Sequence, residues 1–101
     1  MRFGRVDGIV VPLGDGADAP LRLIVHLESG RGFEVVRDET LAPLRPVVSA
    51  DDLRWHADQW TQETIGVDLA LQGWEPIGAG DEPPAEPGAA ARSRSYAVRQ
   101  L

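Results

Sequence analysis

Between Leu21 and Glu28 every second side chain is aliphatic: Leu21, Leu23, Val25 and Leu27 alternate with Arg22, Ile24, His26 and Glu28. A period of two puts the first four on one face of an extended segment, so this stretch predicts a strand with that face turned to a core. Ser29-Gly30-Arg31-Gly32 supplies two glycines for a tight reversal, and Phe33 to Arg37 reads as the return strand of an antiparallel hairpin. Upstream, Phe3 to Leu13 carries Val6, Ile9, Val10 and Val11 and runs into the turn formers Gly14 to Pro20. That pattern predicts a first strand followed by an exposed loop.

The period then changes. Thr40 to Val48 contains Pro43 and Pro46, which withdraw two backbone donors, and reads as a crossover. Ser49 with Asp52 three residues on is an acidic form of the capping box, and Asp51 and Asp52 suit the positive end of a helix dipole. Leu53, Ala57, Trp60, Thr64, Val67 and Leu71 follow at four-three-four-three-four spacing, a single stripe on one long helix. Gly66 marks a bend in it and Gly73 ends it. Trp74 to Ile77 and Ser93 to Leu101 read as a closing strand pair, with Tyr96 and Val98 on one face. Gly80 to Ala91, made of Gly, Asp, Glu, Pro and Ala, cannot bury enough apolar surface to offset its ordering entropy and reads as a mobile loop. The expected fold is one α+β domain over residues 1–101: an antiparallel sheet of four or five strands with one long helix on a face, in the order β-β-β-α-β-β.

The run Leu71-Gln72-Gly73-Trp74-Glu75 together with Ser95-Tyr96-Ala97-Val98-Arg99 resembles the C-terminal half of small bacterial α+β domains of unknown function. Those domains end in a helix, a Gly-Trp-Glu turn and an aromatic strand. Pro76 and the acidic Ala/Pro loop depart from their pattern. The resemblance implies a fold and no catalytic residues.

Composition excludes more than it assigns. Without cysteine there is no disulfide, thiolate nucleophile or zinc ribbon, and without lysine there is no Schiff base or P-loop lysine. Asparagine is absent too, while Ala, Gly, Arg and Pro abound, a bias typical of GC-rich bacterial genomes. A net charge of −6 disfavours nucleic acid and anionic membrane as partners. No apolar run is long enough for a membrane span or a signal peptide, so a cytoplasmic setting is expected. No serine sits in a Gly-x-Ser-x-Gly elbow.

Two constellations remain. Asp52, His56, Gln59 and Glu63 fall along one flank of the helical stripe, where a carboxylate one turn before an imidazole could orient it as a general base. His26, on the polar face of its strand with Glu28, could join them in a ligand pocket. The ordinary reading is a solvated flank with a one-turn Asp52–His56 pair, and no metal or cofactor is expected. The second constellation is apolar: Trp55, Ile65 and Leu69 fall opposite the stripe, where a two-layer domain leaves them in water. Such a face asks for a partner, unless the crossover with Leu41, Leu44, Val47 and Val48 folds over Trp55. The leading expectation is therefore a non-enzymatic interaction or assembly module, as a homodimer or with another protein. The alternative is a small-ligand-binding or enzymatic domain with a polar pocket around His56.

Overall fold

The computed structural model describes residues 1–84 and 90–101. Three strands open the chain: β1 (Arg2–Pro12), β2 (Leu21–Ser29) and β3 (Gly32–Leu41). The helix α1 (Ala50–Thr64) follows and continues through a π-helical turn at Ile65–Leu69 and a 3₁₀ turn at Ala70–Gln72. The strands β4 (Trp74–Ala79), β5 (Ala91–Arg92) and β6 (Tyr96–Gln100) complete an antiparallel sheet in the order β3-β2-β1-β6-β4, with β5 also on β1. The architecture is α+β with one helix on one sheet face, as the periodicities predict. The sixth strand is the two-residue β5, in a stretch read from composition as loop.

The alternation in β2 lands as expected, with Leu21, Leu23, Val25 and Leu27 all buried under the helix. They meet Val6 and Val10 of β1, Val98 and Tyr96 of β6, and Leu53, Ala57 and Trp60 of α1 in one core. The β2–β3 hairpin turns through Gly30 and Arg31, and Gly32 takes φ +108°, a conformation that favours glycine. β3 runs on to Leu41, beyond the expected Arg37, because the polar run Asp38-Glu39-Thr40 pairs with Ile24, Leu23 and Arg22. An edge strand needs no apolar alternation on its exposed side.

Helix and sheet come into close contact where Gly8 faces Thr61. A Cβ at Gly8 would overlap the Thr61 hydroxyl, so only glycine permits this approach. On its other edge β1 is paired with β6 through Val6 and with β5 from Ile9. Between the two, buried Ser93 closes the gap: its N–H donates to the Gly8 carbonyl (2.8 Å), and its Oγ accepts from the Gly8 N–H (2.8 Å).

The last third of the helical stripe departs from expectation. Val67 and Leu71 are exposed, at 54% and 86%, whereas Ile65 and Leu69 are buried at 3% and 0%. The reason is the π-helical turn. Thr61 already lies inward on α1 beside Ala57 with Ile65 one turn on, and the wider pitch of the following five residues absorbs one extra residue and brings Leu69 in below Ile65. Ile65 and Leu69 thus belong to the core and not to an outward interface. Gly66 lies in the π turn, where the sequence marks a bend.

Candidate functional site

The crossover and the start of α1 are joined by Asp52. Its Oδ2 accepts from the N–H groups of Val48 (2.9 Å) and Ser49 (3.2 Å), while the Ser49 Oγ accepts from the Asp52 N–H (3.4 Å), a complete capping box. The Val48 N–H, helped by Ser49 and the Arg45 guanidinium, holds the Asp52 carboxyl below its ordinary value against the opposing effect of burial. The side chain faces back toward the cap, away from His56.

His56 is fully buried, and both ring nitrogens are committed. Nδ1 lies 2.8 Å from the Asp52 carbonyl oxygen, and Nε2 accepts from the Leu44 N–H at 3.0 Å. An acceptor Nε2 places the proton on Nδ1, which donates to the carbonyl. The imidazole packs edge-on to Trp55 and tilted against Trp60, with centroids 4.9 and 5.1 Å apart. It therefore pins the crossover to the helix. Glu63 pairs with Arg37 of β3 (3.1 Å), which also donates to Glu39 (2.8 Å) and to the Thr64 hydroxyl (3.2 Å). His26 alternates with the inward Val25 and Leu27, so it occupies the uncovered sheet face, half-buried against Phe33 with centroids 4.6 Å apart. Asp52 and His56 meet through a backbone carbonyl, and the sheet separates both from His26. No group of three or more His, Asp or Glu side chains among the described residues is placed to hold a metal ion.

Trp55 is half-buried, with the Arg45 guanidinium stacked over its ring at 3.9 Å. The crossover thus provides the cover on Trp55.

Another flank of α1 carries a network that the reading of Asp52 to Glu63 passes over. Buried Asp58 accepts from the Arg94 N–H (2.7 Å) and the Tyr96 hydroxyl (3.0 Å) on Oδ1, with the Arg94 guanidinium 3.4 Å from Oδ2. Gln62 donates to the Tyr96 oxygen (3.0 Å), and burial, foremost, raises the Tyr96 phenol. Arg54 donates to Asp51 (2.6 Å) and the Pro83 carbonyl (2.7 Å) and lies 3.3 Å from Glu82. These groups line a surface hollow of about 370 Å³, but they are paired with one another and tie residues 82–83 and 94–96 to the helix. In sequence, the spacing Asp51, Arg54, Asp58, Gln62 marks the flank, whereas its partners lie more than twenty residues away. Of the stretch Gly80 to Ala91, read as mobile, residues 85–89 lie outside the described residues.

One surface keeps uncommitted chemistry. β3 ends the sheet, and on the uncovered face its Phe33 and Val35 are 65% and 54% exposed. The other edge, β4, carries Pro76 and a register shift between Pro76 and Gly78, two features that blunt pairing. No helix of the described residues is long and apolar enough to cross a membrane. No family model matches the chain, and no curated protein or solved structure matches it.

Proposed function

We propose that the chain is a non-enzymatic protein-interaction module that engages its partner along the outer side of β3. The observation that carries this reading is the pairing of a ten-residue open edge with exposed Phe33 and Val35. Unpaired strand backbone beside aromatic and β-branched side chains is a surface to which an extended chain adds. A ligand pocket around His56 has less support, since its two nitrogens and the carboxylates of Asp52 and Glu63 each hold parts of the chain itself. Self-assembly and binding to a different protein are both forms of the proposed activity. Photo-crosslinking tests it: benzoylphenylalanine is placed at Phe33, Val35 or Asp38, and at exposed Ala70 as control, in the cells that make the protein. A discrete protein adduct from the β3 positions and none from the control is the expected outcome. Absence of any adduct from all three positions overturns the reading.

A further inference from the structure

Resting on that reading, we infer that the occupant of the β3 edge is an extended, basic segment of a different protein and not a second copy of this chain. Charge decides between them. Of the carboxylates of the strand, Asp38 is held by Arg22 (2.8 Å) and Glu39 by Arg37 (2.8 Å), which leaves Glu34, and Glu28 of β2 stands directly across from Phe33. Glu28 and Glu34 have no ion-pair or side-chain hydrogen-bond partner among the described residues. The one cation of β3, Arg37, is turned inward onto Glu63 and Thr64 with only 15% of its side chain exposed, so it is not offered to a neighbour.

A two-fold copy would lay the same acidic strand against itself in a chain of net charge −6, and like charges across an antiparallel pair destabilise it. A strand that alternates Arg or Lys with β-branched residues meets the opposite conditions. With its cations on the helix side they face Glu34, which stands across from the inward Leu27, while its apolar side chains on the other face pack on Phe33 and Val35. The carboxylates that bar identical edges are then what selects a complementary one. The register shift between Val25 and His26, opposite Val36, further restricts which strand fits.

Two labelled peptides of about ten residues, the length that spans β3, provide the test: one alternating Arg and Val, the other of equal charge with Pro at its central Val positions. The alternating peptide is expected to bind at least about tenfold more tightly than its Pro counterpart, with amide shifts confined to β3 and its neighbours. Glu34→Lys, at an exposed position, should weaken it by at least about threefold while the circular dichroism spectrum stays unchanged. Equal affinity for the two peptides, no binding, or shifts elsewhere would overturn the inference. A dimer seen by light scattering and dissolved by Val35→Arg would overturn it too, yet would leave the interaction reading intact. Loss of every crosslink from β3 removes both.

Discussion

Gly8 and Thr61 set how near the helix lies to the sheet. Gly8→Ala forces its new methyl into the Thr61 hydroxyl, an overpacking that should cost about 1–3 kcal/mol. That buried hydroxyl has no hydrogen-bond partner among the described residues, so Thr61→Ala removes the obstacle without breaking a bond they make. The cost of Gly8→Ala should fall by at least half in the Thr61→Ala background, a coupling that a double-mutant cycle in urea measures. Additive effects would mean that the contact does not govern the spacing. His56 is the second such residue. His56→Phe keeps most of the volume but leaves the Leu44 N–H unpartnered, and a loss of about 1–3 kcal/mol is expected on chemical denaturation.

For α1, the decisive element is its start. The Asp52 carboxyl titrates below its ordinary value of 3.8 in the folded chain, so its ionised form adds stability above that value and the contribution disappears as pH falls through the depressed one. Asp52→Asn removes this pH-dependent part. The stability gap between wild type and variant should be widest near about pH 7 and narrow by about pH 3, as urea titrations at both would show. The capping box was legible because all its atoms come from four consecutive residues, and the β2 face because alternation is local. The inward turn of Ile65 and Leu69 was not, since a wheel drawn at a constant 3.6 residues per turn contains no π-helical step. Nor was the bonding of Asp58, whose partners Arg94 and Tyr96 stand 36 and 38 residues away. The flank from Asp52 to Glu63 was correctly placed on the helix, yet its polar atoms turned to the crossover and to β3, partners that no spacing along the helix reveals.

Across the molecule, which measures 44 × 24 × 20 Å, stability should follow the pairing of the strands. β1 is hydrogen-bonded along both edges and covered by the helix, whereas β3 and β4 each have one free side. Amide exchange should therefore be slowest at Val6, Val10, Val25 and Leu27 and fastest between Ile77 and Ala79, with β3 intermediate. Uniform protection across the sheet would show that the free edges are covered in solution. Ser93 gives this arrangement a further consequence. Because one hydroxyl stands in for a backbone rung between β6 and β5, the register of each half of β1 is fixed by a different partner. Along this edge of β1 the sheet is in effect two ribbons spliced at a single serine, and an error of alignment on one side of the splice need not be transmitted to the other.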